Sequence, residues 1–299
     1  MPPFLYRPAK NPRYGRQGRE IPSPLRPSLA AIPAALHPKR PAGALLLCGV
    51  LTLADAPPTG ATSSDCAPAP TEWTSVGKVF DGDTLLTTDG RKVRLVGVNA
   101  PERARDGRAE EPFAEDALRF LSKLIPPGTR IGLAFDETPT DRYGRTLAFV
   151  WSSASLDVQV ALLEQGLAAA LVVPPRQNAI ACYHRAEETA RARRLGLWMS
   201  PRYRGTDAAK LPPSARGFHV IRGTIIRLGR SRHAVWLNLA RNFALRVPRK
   251  DLPFFPKDWS ANRWKGRYIE ARGWIYERKG QQRMTIRHPS ALRHLTPDQ

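Results

Sequence analysis

The sequence predicts a mainly β protein that carries a few helices in its middle third. Residues 76–98 alternate apolar and polar side chains on both sides of an Asp-Gly pair, a pattern typical of a β-hairpin. After residue 218, five further strand-like runs follow one another. Of the 299 residues, 42% are hydrophobic and 24% charged, which excludes a chain disordered throughout. No apolar run reaches the roughly 20 residues of a membrane-spanning helix, which excludes a polytopic membrane protein.

The first 70 residues are not expected to form a domain. Residues 1–41 are rich in Pro and Arg and lack periodicity, which is typical of disorder. Lys39 and Arg40 then precede the apolar run 42–54, and small residues follow, as in a secretory signal that is removed on export. An uncleaved anchor or a buried helix is the alternative. We therefore expect an exported chain, periplasmic or extracellular, without stable membrane insertion after processing.

The three cysteines bear on the same question. Cys48 lies inside the apolar run, so removal of that run leaves Cys66 and Cys182. Two cysteines in an exported chain predict one disulfide, and two unrelated thiols are the alternative. The chain has no CxxC pair, and its six histidines show no metal-ligand spacing, so we expect no zinc site.

The hairpin places two charged residues on one face. If the Asp-Gly pair forms a two-residue loop, Thr88 pairs with Arg91 and Asp83 lies opposite Val96. Arg94 then shares a face with Asp83 as a diagonal neighbour, roughly 7–8 Å away at the backbone. A carboxylate and a guanidinium in this arrangement are suited to hold a metal ion and a phosphate side by side. A surface ion pair is the alternative.

The residues after the hairpin predict a loop followed by mixed helices and strands. Pro101 ends the last strand and delivers Glu102 into a loop, where catalytic residues often lie. Asp141 begins a tight polar turn that ends at Arg145. The other predicted elements are a helix opened by Pro112, strands over 132–135 and 147–151, a helix capped by Asp157 and a helix over about 180–195 closed by Gly196.

Four motifs in this segment resemble the staphylococcal nuclease (thermonuclease) family. In order, they are DGDT (81–84), RLVGVNAPE (94–102), DRYGR (141–145) and GLW (196–198). Each is weak alone, but their order and spacing agree with the family across residues 72–200. The resemblance implies an OB-type five-stranded barrel with three helices. It also implies calcium-dependent hydrolysis of phosphodiester bonds in DNA and/or RNA, leaving 3′-phosphates.

The resemblance also assigns roles to matching residues. These are Arg94 and Arg145 as phosphate-binding arginines, Glu102 as the general base, and Asp83, Asn99 and Ala100 as metal ligands. The chemistry needs these types, because water must lose a proton, the phosphoryl oxygens gain negative charge and a hard cation takes oxygen ligands. Asp141 is expected to order the turn that aims Arg145, with a simple turn residue as the alternative.

Two departures from the family pattern affect this site. The family usually has Asp where this chain has Asn99, so one negative charge is missing and a single, weakly bound Ca²⁺ is expected. Ala100 replaces a frequent Thr, which matters less if only its carbonyl oxygen contacts the metal. The family's tyrosines after the second helix have no match in the stretch 171–175, which puts base stacking there in doubt.

The last third of the chain is strongly basic. The net charge is +21, yet residues 71–200 are neutral and residues 201–299 hold 22 basic and 6 acidic groups. By composition, residues 201–217 are a linker. The strand-like runs that follow lie at 219–228, 233–239, 243–248, 267–277 and 283–288. With a Trp-rich stretch between the third and fourth, they predict a second OB-like barrel over 218–299, similar to the tail of some bacterial thermonuclease-like proteins.

This basic domain is expected to contact a polyanion. The candidate substrate contacts are Arg230, Arg232, Arg246 and Trp236, because OB barrels often bind nucleic acid through basic grooves and aromatic platforms. The other tryptophans that could stack bases are Trp259, Trp264 and Trp274. The alternative is tryptophans in the core and arginines on a solvated face. Two functions remain: an exported, monomeric nuclease, or a catalytically weak nucleic-acid-binding protein built from two OB-type barrels. The presence of Arg94, Glu102 and Arg145 together favours the enzyme, because binding alone needs no base.

Overall fold

The computed structural model describes residues 66–104, 107, 109–175 and 179–296. The Pro- and Arg-rich start and the apolar run 42–54 therefore lie outside the described residues. Within the described part, no helix is long and apolar enough to cross a bilayer. The two halves discussed below belong to one compact unit.

The first half forms a closed five-stranded barrel with three helices, as predicted. Its elements are β1 Glu72–Asp81, β2 Thr84–Thr87, β3 Lys92–Leu95, β4 Val98–Asn99, α1 Ala114–Leu124, β5 Arg130–Thr140, β6 Thr146–Ser152, α2 Val158–Glu164, β7 Ala169–Ala170 and α3 Ile180–Ala192. The barrel order is β1-β2-β3-β6-β5, and β4 pairs with β7 beside it. Only β3 and β6 run parallel within the barrel.

The predicted register of the β2–β3 hairpin is wrong by one residue. Thr84 pairs with Arg94, and the amide of Leu95 donates to the carbonyl of Asp83 at 2.9 Å. The loop has three residues, because Gly90 adopts a positive φ of 87° and donates its amide to Thr87 O. A turn followed by a left-handed residue is the usual form of a three-residue hairpin, and it shifts every later pair by one. Asp83 therefore lies opposite Leu95 and not Val96.

The helices cover the barrel much as the pattern predicts, with small shifts at their ends. The first begins at Ala114, two residues after Pro112, and buries Ala114, Ala117 and Leu121. The second is capped by Asp157, whose carboxylate accepts from two backbone amides of the first turn. The third ends at Ala192, and a 3₁₀ turn over Gly196–Met199 follows it.

A disulfide joins Cys66 to Cys182 with a Cα–Cα distance of 5.3 Å, which confirms the predicted pairing. Cys66 precedes β1, and Cys182 lies on α3. The bridge closes 116 residues of sequence and ties the chain ahead of the barrel to its third helix.

The second half has the same strand order as the first. Its elements are α4 Pro201–Arg204, β8 Thr206–Asp207, β9 Gly217–Thr224, β10 Arg227–Arg230, β11 Ala234–Asn238, β12 Phe243–Pro248, β13 Tyr268–Arg278, β14 Gln281–Thr285 and β15 Leu292–His294. The sheet runs β10-β11-β12-β14-β13-β9-β8, with β12 parallel to β14. Only two residues separate β9 from β10, so we treat these two as one bent strand. The first strand in the order, β10, then continues into β9 near its other end, and the sheet closes on itself as in an OB-like barrel.

The connection between the barrels is ordered and packed. Residues 201–217 contain α4 and β8, and β8 pairs with β9 of the second barrel. A shared apolar cluster covers this junction, made of Ala169, Ala190, Leu197, Trp198, Tyr203, Phe218 and Val220. The segment predicted as a linker from its composition is therefore not a flexible tether.

A charged cluster lies beside that apolar junction. Arg272 on β13 donates to both carboxylate oxygens of Glu187 on α3 at 2.7 Å. Glu270, two residues earlier on the same face, pairs with Arg191 of α3 at 2.8 Å and with Arg222 of β9 at 3.0 Å. Ion pairs and apolar packing thus hold the outer face of β13 against the third helix.

Candidate active site

Asp83 and Arg94 form a mostly buried ion pair at the end of the β2–β3 hairpin. The distance from Arg94 Nη2 to Asp83 Oδ2 is 2.8 Å. Arg94 Nη1 donates to the carbonyls of Leu95 and Val98, which fixes the guanidinium beside the strand end. The two side chains are therefore close, as predicted, but the predicted diagonal placement is wrong. Asp83 lies opposite Leu95, and its carboxylate contacts the Arg94 guanidinium directly.

The Asp83 carboxylate is surrounded by donors and by other acidic groups. It accepts from the Ala100 amide at 2.7 Å and from the Thr84 hydroxyl at 3.2 Å. Its own amide donates to Asp81 Oδ1 at 3.0 Å. Burial raises the pKa of Asp83 to about 7, Arg94 opposes that rise, and the charges of Asp81 and Glu102 add to it. A cation at this place would relieve the accumulated negative charge.

Asn99 and Ala100 are buried next to this pair. Asn99 lies on β4, where it pairs with Ala169 of β7. Across the described residues, no group of three or more His, Cys, Asp or Glu side chains is arranged to hold a metal. The oxygens of Asp83, Asn99 and the Ala100 carbonyl are still the hard donors that calcium prefers, and water commonly completes such a shell. The donor set thus fits a weakly held calcium ion better than a transition metal.

Glu102 lies on the loop that follows Pro101, at the surface of the cleft described below. Its backbone amide donates to Glu111 Oε2 at 3.2 Å, and its carbonyl accepts from the Glu111 amide at 2.9 Å. Partial desolvation and then the charge of Asp81 raise the pKa of its carboxyl, while Arg94 and Arg145 oppose the rise. Both arginines thus act on this carboxyl electrostatically.

Arg145 is aimed by Asp141. Asp141 Oδ2 accepts from Arg145 Nε at 2.8 Å and lies 2.8 Å from Nη2. The other oxygen, Oδ1, accepts from the backbone amides of Tyr143 and Arg145 at 2.9 and 3.0 Å. One carboxylate therefore shapes the turn and orients the guanidinium, so Asp141 is more than a simple turn residue.

A cleft of about 800 Å³ brings four of the predicted residues together: Arg94, Asn99, Glu102 and Arg145. Asp83 reaches the same place through its contact with Arg94. The cleft also receives Trp274 and Arg287 from the second barrel. The predicted residues of the first barrel therefore converge, although their chemical roles stay predictions.

The four residues predicted on the second barrel do not form one site. Trp236 and Arg246 are direct cross-strand partners, and the Arg283 guanidinium lies 4.8 Å from the Trp236 ring centre. Arg230 instead lines a separate cavity of about 530 Å³, and Arg232 lies in the exposed turn after β10. The sequence could not separate them, because the face of each strand depends on the register.

Sequence reasoning missed residues that border the cleft. Asp81 lies in the DGDT motif and binds the Asp83 amide. Glu111 holds the Glu102 loop and also pairs with Arg202 of α4 at 2.5 Å, which links the loop to the junction. Trp274 was not missed, because it is one of the tryptophans expected to stack bases. It lines the cleft, and it shares parity with Glu270 and Arg272 on β13 and not with the apolar core residues.

The sequence comparisons agree with this geometry. A model of the family described as "Staphylococcal nuclease homologue" matches residues 92–200, which include Arg94, Glu102 and Arg145. The chain is 35% identical to the thermonuclease of Staphylococcus intermedius over 126 residues, covering 41% of this chain and 74% of that relative. This chain belongs to the staphylococcal nuclease family.

Two further relatives match a similar share of this chain. The thermonuclease of Staphylococcus hyicus is 29% identical over 124 residues, 40% of this chain and 72% of the relative. Endonuclease YncB of Bacillus subtilis (strain 168) is 32% identical over 134 residues, 43% of this chain and 63% of the relative. The matched family region ends at residue 200, so the second barrel lies outside it.

Proposed function

We propose that this protein is a calcium-dependent nuclease that hydrolyses phosphodiester bonds of DNA and/or RNA and leaves 3′-phosphates. The observation that carries the proposal is the convergence of Arg94, Glu102 and Arg145 on one cleft in a chain of the staphylococcal nuclease family. The relatives named above are thermonucleases and an endonuclease.

In this proposal Glu102 is the general base. It takes a proton from a water molecule as that water attacks phosphorus, and the bond from phosphorus to the 5′ oxygen breaks. The 5′ oxygen then takes up a proton and leaves as a hydroxyl. A base of this kind accounts for about 10²–10⁴ in rate. The raised pKa of Glu102 makes it a better proton acceptor once ionised, which suits this role.

Arg94 and Arg145 neutralise the charge that develops on the phosphoryl oxygens. Each is held before substrate arrives, Arg94 by Asp83 and Arg145 by Asp141. Prepositioned guanidinium donors cost little reorganisation in the transition state, and their fork matches two phosphate oxygens. The two carboxylates therefore act as positioning groups for the arginines.

Calcium, when bound, would add positive charge beside the scissile phosphate. Asp83 and Asn99 would hold it with side-chain oxygens, and Ala100 with its backbone carbonyl. Because Asn99 brings no charge, the affinity is expected to be low.

Export is the setting that best fits the covalent structure. The Cys66–Cys182 disulfide persists in an oxidising compartment, and the apolar run 42–54 has the form of a secretory signal. We propose a monomer that acts outside the cytoplasm. The net charge of the last third would attract the polyanionic substrate.

A catalytically weak nucleic-acid-binding protein is the second candidate. Asn99 favours it, because the metal site has lost one charge. The comparison that separates the two is digestion of single-stranded DNA by the processed, disulfide-bonded protein, with calcium and with chelator. If the protein is the proposed nuclease, it cleaves the DNA with calcium and not with chelator. Glu102→Gln should then lower the rate by at least about 100-fold.

The Glu102→Gln variant also excludes a contaminating nuclease. Its amide keeps the shape of the carboxylate, so binding of the same DNA should be retained. Cleavage by Glu102→Gln at the original rate would overturn the proposed mechanism. Binding without cleavage by the unaltered protein would support the second candidate.

A further inference from the structure

The outer face of β13 joins the second barrel to the nuclease barrel and then continues into the cleft. Ile269, Ala271 and Ile275 point into the core of the second barrel. The alternate residues face outward, and the first of these bind helix α3 through the charged cluster of Glu270 and Arg272. Trp274 is the next outward residue, so it emerges where the junction ends and the cleft begins.

Trp274 presents its ring to the cleft. The residue is 44% exposed, and its ring packs edge-on against Phe218 with centroids 5.3 Å apart. It lines the cleft together with Arg94, Glu102 and Arg145. Of the six large hydrophobic residues that are exposed in the described part of the chain, only Tyr143 and Trp274 line this cleft. A firmly seated aromatic face in a cleft with two phosphate-binding arginines is suited to stack a base.

A second side chain from the same barrel brings positive charge to the cleft wall. Arg287 follows β14 and is held by Asp251, which accepts from Nε at 3.0 Å and from Nη2 at 3.3 Å. Asp251 is almost fully buried, so this contact fixes the guanidinium from behind. Arg287 is therefore a guanidinium at a defined place in the wall of the cleft that Trp274 also lines.

The same outer face carries a row of basic and aromatic residues away from the cleft. Trp236 pairs with Arg246, and Arg246 pairs with Thr285 across the parallel strands. Arg283 lies two residues before Thr285 and covers the Trp236 ring. Their strand neighbours Leu237, Leu245 and Met284 are core residues, which puts the row on the outer face. Three strand spacings, roughly 14 Å, separate β13 from β11.

We propose that the second barrel supplies part of the substrate site. Trp274 stacks a base of a single-stranded polynucleotide whose phosphate lies at Arg94 and Arg145, and the strand continues over Arg283, Arg246 and Trp236. This inference rests on the proposed nuclease function. The ligand is single-stranded, because the Trp274 ring can stack only on a base whose face is exposed. In a duplex, each base is paired and its faces are covered by the neighbouring bases.

The base-stacking step is tested by binding of a labelled single strand of about 20 nucleotides, long enough to cover two OB barrels. The full processed chain carries Glu102→Gln, so that the oligonucleotide survives the measurement. Adding Trp274→Ala should weaken binding about tenfold, and Trp274→Phe should restore most of the affinity because it keeps an aromatic face.

Trp73→Ala is the matched control. Trp73 is also exposed, at 41%, and also packs against another side chain, with Arg130 4.7 Å from its ring centre, but it lies outside the cleft. Its removal should leave affinity within about twofold, the range of surface substitutions away from a binding site. Thermal unfolding of each variant shows whether a loss of binding reflects a loss of fold.

The path over the outer face is tested by salt dependence. Arg246→Gln with Arg283→Gln should reduce the slope of log affinity against log salt by about 1.4, or about 0.7 for each lost phosphate contact on a single strand. Arg263→Gln with Lys265→Gln removes the same charge from the turn before β13 and should change the slope little.

The outcomes separate this inference from the nuclease proposal. If the unaltered protein cleaves DNA while Trp274→Ala and Trp73→Ala bind equally well, the stacking site is wrong and the nuclease stands. If the unaltered protein does not cleave DNA in the presence of calcium but Trp274→Ala still weakens binding selectively, the nuclease proposal falls and the base-stacking site stands. Equal slopes for the two double variants would overturn the path over the outer face.

Discussion

Arg272 of the second barrel donates to both carboxylate oxygens of Glu187 on α3 at 2.7 Å, and both side chains are almost fully buried. Glu187 also accepts from the Ala170 amide at 2.6 Å, and Arg272 contacts the Ala170 carbonyl at 3.3 Å. This pair joins two barrels that are similar in topology but separate in sequence. Loss of either partner would leave the other charge buried at the contact between the barrels.

The first prediction concerns this pair. Arg272→Met leaves the Glu187 carboxylate buried without its main partner, so it should lower the free energy of unfolding by about 3–5 kcal/mol. Changing Glu187→Gln in the same chain removes the stranded charge and should recover part of the loss. Urea unfolding of the single and double variants measures both effects.

An exposed pair on the same barrel is the control. Arg216 and Glu277 are both about half-exposed, and Arg216→Met should cost less than about 1 kcal/mol. Equal losses for Arg216→Met and Arg272→Met would show that the interface pair has no special weight.

The second prediction concerns truncation after Arg204. From composition alone, residues 201–217 are a linker, and a first barrel cut after Arg204 is expected to fold alone. The structure reverses this expectation, since Trp198 and Tyr203 pack against Phe218 and Val220 of the second barrel. The truncated chain should therefore unfold at a lower temperature and bind an apolar dye. A melting temperature equal to that of the full chain would contradict this.

The third prediction is a pH dependence of stability. Asp157 caps α2 and is fully buried, where it accepts from the Gln159 and Val160 amides and from the Tyr183 hydroxyl. Burial raises its pKa to about 6, so the folded state holds this proton more tightly than the unfolded state. The group therefore stabilises the fold most below about pH 4, and this contribution is lost as pH rises through about 6.

Asp157→Asn keeps the cap and removes the titration. The free energy of unfolding of the variant, minus that of the unaltered protein, should therefore rise between pH 4 and pH 8 by up to about 3 kcal/mol. Asp207→Asn, at the exposed cap of a 3₁₀ turn, controls for loss of one charge at a capping position. A difference that stays constant or falls with pH would contradict the assignment to Asp157.

The resemblance carried by the four motifs implied the first barrel and the grouping of Arg94, Glu102 and Arg145 in one site. The hairpin register was wrong because the two-residue and three-residue loops share the same Asp-Gly signal. A two-residue type I′ loop needs a positive φ at both Asp89 and Gly90, whereas in the observed three-residue loop Gly90 has a positive φ and Asp89 does not. The cysteine pairing was predictable, since only two cysteines lie outside the apolar run.

The junction and the full cleft were not predictable in the same way. In sequence, Glu187 and Arg272 are ordinary helix and strand charges, and only docking of the barrels buries them. Trp274 belongs to the cleft for the same reason, because its place depends on how the second barrel lies against the first. Long-range packing of this kind leaves one local signal in the sequence, the alternation of side chains along β13, which shows the face of the strand but not what covers it.

The fourth prediction concerns calcium. Asn99 is buried, lines the same cleft as Arg94 and precedes Ala100, whose amide binds Asp83, so Asn99→Asp adds a further carboxylate to an acidic site. Without calcium, the added charge should destabilise the fold, because like charges repel in a buried place. With calcium, the same charge attracts the ion, and affinity should rise on the order of tenfold. The calcium-induced rise in melting temperature should therefore be larger in Asn99→Asp than in the unaltered protein.

Asn238→Asp separates this effect from the general cost of burying a carboxylate. Asn238 is also buried but lies on β11, where its side chain contacts Arg227 and not the acidic cluster. Calcium should not raise the melting temperature of Asn238→Asp beyond that of the unaltered protein. If calorimetric titration shows equal or weaker calcium binding by Asn99→Asp, position 99 does not ligate the ion. Asp83 and the Ala100 carbonyl would then be the remaining protein ligands to test.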